Sequence, residues 1–417
     1  MESKVPQWLQ NAQIPTHRQS ALQTLTRRER MRHAARSASA HKANESLRYG
    51  SAPPASAAAQ EEDKEVEHYS IAIGMQPDNR MRNRYSGVEP YDRTRVVVGC
   101  GDSCEPSGRY LNASWVRELH GGKWWIAQQA PLPETVHAFL SIILQPTFHP
   151  PTELHPRTKA LQPADSSRVR TVVQLTQIME NGMRKAHIYF PAKEGESMTF
   201  EPEEGFKAPS YKVTLVSSTE VQDAHCVRST VSVQPVTKSG EDAGELVTFT
   251  HLLFSDWPDH GVPEKEHRAG LLNFIKLVDT VNRDITTQPE GSRAGLDPDP
   301  PIIVNCSAGI GRTGSFIALS SLLREAGWLL PVQTIWHDAG ASLPELTPTA
   351  LDPLPAEFKE DKVAQEVDAL REQRPGMVQK QEQAILIYDT LVLAFDPDSE
   401  EKSSEEAAAT TDEPPAK

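Results

Sequence analysis

Cys306 and Arg312 frame five residues in the run PIIVNCSAGIGRTGSFIALSSLL, residues 301–323. Four of the five, Ser307, Ala308, Gly309 and Gly311, are small, and the fifth is Ile310. A short loop of small residues curls so that successive backbone N–H groups point inward. At the start of a helix such a nest binds a dianion. The Arg312 guanidinium adds a planar fork for two phosphate oxygens. The same positive field falls on Cys306. A free thiol ionises near ~8.5, and a helix N-terminus lowers that to about 3.5–7.5. Much of Cys306 is then thiolate at neutral pH, the form that attacks phosphorus.

Two other readings fit part of the same stretch. Residues 309–314 read G-x-G-x-x-G between a strand-like and a helix-like run, the layout of a dinucleotide fingerprint. That fold needs the glycines at its first βα turn and an acidic residue about 20 positions later. Here the motif comes late, the later position falls in a Pro-rich stretch, and no second βαβ unit follows. The other reading is a structural cysteine beside a tight turn, which the spacing to Arg312 makes the weaker one. The histidines His149, His155, His251, His260 and His267 are scattered, without cysteines at ligand spacing. The chemistry needs no metal and no cofactor, and none is expected.

The loop requires a strand to enter it and a helix to leave it. Residues 302–304 are short and wholly apolar, as a central buried strand would be. Residues 169–176, 211–216, 229–234 and 246–254 also read as strands, and 229–234 alternates as a half-buried antiparallel strand does. Helical spacing marks 264–281, 357–374, which Pro375-Gly376 ends, and 381–395. The mixture predicts an α/β fold: a single domain over 66–396 with a twisted mixed β-sheet flanked by helices. Residues 1–65 are read as an extension. Within it, 20–36 is a helix, either solvated and basic or an arm that docks an acidic partner, and 37–66 is a linker or a disordered insertion. Residues 146–167 and 330–355 are Pro-dense insertions, and 397–417 is an acidic, disordered tail.

The chain has 417 residues, a formal charge of −14 and four cysteines. That charge gives no electrostatic case for nucleic-acid binding, and so few cysteines suggest a reducing compartment. No run approaches a membrane span and no apolar leader opens the chain. The expectation is a soluble intracellular monomer, cytoplasmic and also nuclear.

Residues 304–313, VNCSAGIGRT, closely resemble the signature loop of the cysteine-dependent protein tyrosine phosphatases, written [I/V]-H-C-x5-R-[S/T]. Further stretches resemble the family in its own order. Residues 257–263, WPDHGVP, match the movable acid loop, which makes Asp259 the group that protonates the leaving oxygen and Trp257 part of the hinge. Residues 83–88, NRYSGV, resemble the phosphotyrosine-recognition loop, with Tyr85 as an aromatic wall that deepens the pocket. Residues 378–383, VQKQEQ, resemble the loop that orients the hydrolytic water, with Gln379 first and Gln383 second. By the same resemblance Glu180 holds Arg312, Lys185 lies near the acid loop, and Thr313 hydrogen-bonds the sulfur. Asn112, in residues 109–114, is read as structural, and Asp256 as a surface or capping residue.

The resemblance implies the phosphatase fold and an enzyme that hydrolyses phosphotyrosine in proteins through a phospho-cysteine. Its insertions look most like those of single-domain fungal members, which implies MAP kinases among the substrates. Departures stand beside the matches. Asn305 replaces the family's His, so an active enzyme with an altered Cys306 pKa is expected. Gly87 replaces an Asp that grips substrate backbone, Ala130 a Gly, and Phe190 a Trp. Asn305 and Gly87 also justify a rival expectation, a phosphotyrosine-binding module with little turnover; a dual-specificity enzyme is a third, against which Tyr85 argues.

Overall fold

A computed structural model describes residues 4–49, 64–99, 108–151, 153–154, 165–258, 261–288, 293, 295–335, 345–346 and 348–397. Helices α1 (Gln7–Ala12) and α2 (Pro15–Tyr49) precede strands β1 (Arg95–Val98), β2 (Arg109–Arg117) and β3 (Trp124–Gln129), then helix α3 (Val136–Leu144). Strand β4 (Thr171–Gln174) leads to the small hairpin β5 (Met179–Glu180) and β6 (Met183–Arg184). Next come β7 (Ser197–Phe200), β8 (Ser210–Val221), β9 (Cys226–Val236) and β10 (Val247–Phe254). Helix α4 (Arg268–Arg283), strand β11 (Ile302–Cys306), and helices α5 (Gly311–Glu325), α6 (Lys362–Gln373) and α7 (Gln381–Phe395) complete the order.

Nine strands form one mixed sheet in the order β1-β2-β3-β11-β4-β10-β9-β8-β7. The inner strands β3, β11, β4 and β10 run parallel, and antiparallel strands extend both sides. Parallel strands are covered on both faces, so they read as apolar runs. Strand β11 obeys this and is buried at all its positions. Its side chains alternate between two cores. Ile302 and Val304 join the cluster under α4, α5, α6 and α7, while Ile303 joins the one under α3. Strand β11 therefore ends, at Cys306, in the middle of the sheet.

Strands β1, β2, β3 and helix α3 are absent from the sequence reading. All nine positions of β2 are buried, yet it carries Arg109, Asn112, Ser114 and Arg117. Those polar residues erase the apolar pattern that marks a strand. Helix α3 is nearly uniformly apolar, which removes helical periodicity as a signal.

The N-terminal extension also differs from expectation. The sequence predicts a linker or disordered insertion over 37–66, but α2 runs on to Tyr49; residues 50–63 lie outside the described residues. Ser39 and Ala40 pack near Tyr69 and Ile71, which gives that part of the helix a partner. Nor is α2 a solvated basic helix. Arg28, Arg32 and Arg36 are buried. Arg28 grips both oxygens of Asp368 at 2.8 and 2.9 Å. Arg32 binds Asp368 and Glu372 at 2.6 and 2.8 Å. Arg36 is held by Glu29 and the Tyr91 hydroxyl. These three arginines serve the chain's own acids rather than a docking partner.

Glu366 ties α6 to the β2–β3 turn. Its carboxylate accepts from Leu119 N, His120 N and Ser321 Oγ. Complete burial pushes its pKa up to about 8, with Glu118 adding to the rise and the hydrogen bonds opposing it. A raised acid stabilises the fold fully below its unfolded value, and that contribution is lost as pH climbs through the folded one. The Glu366→Gln variant does not titrate there. Its melting temperature should rise relative to the parent chain as pH goes from about 5 to about 9. A difference that stays flat over that window would refute the assignment.

Candidate active site

The loop between β11 and α5 is held from behind. Ala130 N donates to Ser307 O at 3.0 Å. Arg374 donates to Ala308 O at 3.1 Å and to Gly309 O at 2.7 Å. Val378 N and Gly314 N donate to Ile310 O at 3.1 and 2.9 Å. Four successive carbonyls are thus turned outward and satisfied. In a trans peptide the next N–H points the opposite way. The amides that follow those carbonyls, on residues 308–311, therefore face the other side, above Cys306. Gly309 N lies 3.3 Å from Cys306 Sγ.

Two glycines are needed for this bowl to sit where it does. Gly309 has φ +71°, and a Cβ there would fall 1.9 Å from the Gln128 carbonyl oxygen of β3. A Cβ on Gly314 would come 2.4 Å from Val378 N.

Cys306 is buried, which alone would raise its pKa. The charge of Arg312, the Thr313 hydroxyl and the backbone N–H groups of Thr313 and Ile310 outweigh that burial, and the thiol lies below its ordinary value. Thr313 Oγ1 is buried without a hydrogen bond of standard geometry, so its proton is free to turn to the sulfur. Cys226 shows the contrast. It is also buried, and burial pushes it up to about 12 against only weak opposition from Arg228 and the backbone.

Arg312 is aimed by the β5–β6 hairpin. Its two terminal nitrogens bind the two oxygens of Glu180 at 2.7 and 2.6 Å, and one also reaches Leu175 O at 2.8 Å. Glu180 is steadied by Thr176 Oγ1 and Gln177 N. Burial would raise its pKa, but Arg312 holds it below the usual carboxylate range. The hairpin turns on Asn181 and Gly182, both at positive φ, as a two-residue Asn-Gly turn requires.

A cleft of about 580 Å³ opens above this loop. Cys306, Ser307, Ala308, Ile310, Gly311 and Arg312 form its floor, and Tyr85, Lys185, Gln379 and Gln383 stand around it. Tyr85 is 39% exposed, and its hydroxyl meets Ser307 Oγ at 2.8 Å. Arg84 fixes that loop by donating to Ala130 O and Pro131 O. Ser307 Oγ donates to Lys185 O. Gln383 Oε1 accepts from Lys380 N at the start of α7 and abuts Gly311. Asn305 is buried beneath the loop. Its Nδ2 lies 3.4 Å from Cys306 O, and its Oδ1 has no hydrogen-bond partner.

Trp257 is buried, packs edge-on against Phe254, and donates from Nε1 to Gly261 O at 3.3 Å. This contact ties the two ends of the loop that carries Asp259. Asp259 itself lies outside the described residues, as do His260 and His155. Asp256, expected at the surface or as a cap, is instead half-buried and paired with His225. Antiparallel pairing of Phe254 with Cys226 brings the two side chains together. Asn112 is structural in a definite sense, because its Oδ1 accepts from Arg374 at 2.8 Å.

Sequence reasoning missed Arg374. It is completely buried, burial lowers its pKa to about 10, and two of its nitrogens turn the loop carbonyls. Its only trace in the chain is an arginine just before Pro375-Gly376, which reads like any helix-end cation.

Iodoacetamide labelling followed by peptide mapping tests the electrostatics. Cys306 should be labelled with a midpoint below that of an ordinary thiol, while Cys226 stays unlabelled at neutral pH. Arg312→Met should raise the Cys306 midpoint by about one pH unit or more. An unchanged midpoint in that variant would remove Arg312 as the dominant charge.

Comparison with known proteins agrees with this geometry. The family model described as protein-tyrosine phosphatase matches residues 79–149 and 164–328, more than half of the chain. The human tyrosine-protein phosphatase non-receptor type 14 is 28% identical over 320 residues, covering 76% of this chain and 21% of that protein. The human receptor-type tyrosine-protein phosphatase zeta is 26% identical over 341 residues, covering 80% and 11% respectively. Human phosphatidylinositol phosphatase PTPRQ is 30% identical over 246 residues, covering 59% and 8%. The chain thus spans about a fifth or less of the length of these relatives. With the family model matched across the sheet, the cysteine loop and the hairpin that aims Arg312, the chain belongs to the protein-tyrosine phosphatase family.

Proposed function

We propose that the chain hydrolyses phosphotyrosine in proteins by way of a phospho-cysteine. One observation carries the reading: Cys306, though buried, is held toward thiolate beneath a cleft floored by inward amides and Arg312. The phosphate dianion sits on those amides and the guanidinium. The Cys306 thiolate attacks phosphorus, the S–P bond forms and the P–O bond to the aryl group breaks. Asp259 gives its proton to the departing phenol oxygen. Gln379 then holds a water, Asp259 takes a proton from it, and the oxygen attacks phosphorus. The S–P bond breaks, the electron pair returns to sulfur, and inorganic phosphate leaves. Thr313 hydrogen-bonds the restored thiolate. Trp257 anchors the loop on which Asp259 moves. The roles of Asp259 and Gln379 rest on family resemblance.

The wall formed by Tyr85 supports tyrosine selectivity. A long phenyl phosphate reaches the sulfur past it, whereas a phosphoserine or phosphothreonine is too short. Substrates among MAP-class signalling kinases are the finer reading, and it rests on the resemblance to single-domain fungal members. One relative is named a phosphatidylinositol phosphatase, so a phosphoinositide belongs in the assay.

The parent chain should release phosphate from a phosphotyrosine peptide much faster than from a phosphothreonine peptide or a phosphoinositide. Cys306→Ser should abolish release, and Asp259→Asn should lower kcat by about 10²–10⁴-fold. A parent chain that binds and protects the peptide without releasing phosphate would favour a binding module, for which Asn305 and Gly87 give a reason. Equal release from phosphotyrosine and phosphothreonine would favour dual specificity.

A further inference from the structure

Val378 adopts φ +54°. A β-branched side chain in that region is strained, and such backbone persists only where its surroundings over-determine it. Val378 immediately precedes Gln379, so whatever holds the strain also sets that glutamine. The restraints can be traced outward. Val378 N donates to Ile310 O. Arg371 donates to Met377 O at 2.8 Å and to Val378 O at 2.7 Å. The third nitrogen of Arg371 donates to Leu25 O of α2 at 2.8 Å.

Helix α2 is in turn riveted to α6, the helix that carries Arg371. Arg28 and Arg32 share Asp368, and Arg32 also takes Glu372. Glu372 accepts further from Tyr69 Oη and Thr349 Oγ1. Rigid forks span α2 and α6 one turn apart along each helix, so sliding of α2 along α6 would break several of them at once. Both helices lie outside the residues matched by the family model.

We infer that Arg28 and Arg32 are positioning residues for the second half of the catalytic cycle. Through α6 and Arg371 they keep the strained Val378 backbone, and hence Gln379, where a water must be held against phosphorus. The inference rests on the proposed phosphatase reaction. It assigns α2 a role in breaking the S–P bond, not in forming it. The Cys306 loop is also held from the sheet, by Ala130 N and by Arg374, which Asn112 and Ser114 of β2 brace, so the first half of the cycle depends less on the α2 clamp.

The test uses the full chain with p-nitrophenyl phosphate in a rapid-mixing instrument. Arg32→Met should leave kcat/KM, which reports events through phosphorylation of Cys306, within about twofold. It should lower kcat by about fivefold or more and lower KM with it, and nitrophenol release should show a burst approaching one per Cys306. Arg28→Gln, at the edge of the cluster, should shift the same ratio in the same direction by about twofold. It decides the matter if Arg32→Met does not fold. A merely structural effect would reduce kcat and kcat/KM together at constant KM. That outcome, or an unaltered kcat in a folded variant, would overturn the inference. Failure of the parent chain to turn over any phosphate ester would instead overturn the proposed function.

Discussion

The active-site loop depends on four carbonyl groups being turned away from the cleft. Each carbonyl that faced inward would present a negative dipole to an incoming dianion and would remove an amide from the bowl. Two of the four are held by a single completely buried guanidinium, that of Arg374. A hydrogen bond to a charged group contributes about 1.5–3 kcal/mol, against ~1 for a neutral one. The cation is itself satisfied by Asn112 and Ser114 from β2, which explains why a fully buried strand carries polar side chains. The interior polarity of β2 and the anion affinity of the loop are one arrangement seen from two sides.

The electrostatics of the thiol follow from the same geometry. Burial in low dielectric opposes ionisation of any cysteine. Cys226 and Cys306 both sit at strand ends and are both buried, yet their pKa values move in opposite directions. The difference is not the amount of burial but what the buried sulfur meets: a guanidinium, a hydroxyl and several amides in one case, and little beyond the sheet in the other. Glu180 limits how freely Arg312 can act. It neutralises part of the charge but fixes the fork in a bidentate pair, so the remaining field is aimed instead of diffuse.

What was legible in the sequence tracks which signals are local. The Cys306 loop shows itself because its nucleophile, its cation and the small residues that let the backbone curl between them all lie within a few positions of one another. Strands β8–β10 and helices α4, α6 and α7 show themselves through apolar period. Strand β2 and helix α3 do not, one because polar side chains are used inside the sheet and the other because it is apolar all round. Arg374, Arg371, Arg28 and Arg32 are invisible for a different reason. A long cation whose partner is brought close only by the fold, as Asp368 is to Arg28 and Leu25 O to Arg371, has the same sequence signature as one that faces water. Asp256 illustrates the same limit, since its partner His225 is brought close only by strand pairing.

The buried arginine–carboxylate cluster between α2 and α6 is hard to justify by stability alone. Taking such ions out of water costs several kcal/mol each, and well-packed apolar residues often serve as well or better. Glu372 shows how far the balance is tuned: burial opposes its charge, yet His68, Arg32 and Thr349 bring its pKa down to about 2. Apolar contacts tolerate a slide of one helix along another, whereas a bidentate fork does not. Helix α6 ends directly before Arg374, which Asn112 and Ser114 of β2 brace independently, and carries Arg371, which grips the strained turn, so a slip of α6 would be delivered mainly to Gln379. A cluster that is indifferent for stability but intolerant of slippage is what such a helix requires, which accounts for the buried charge between α2 and α6.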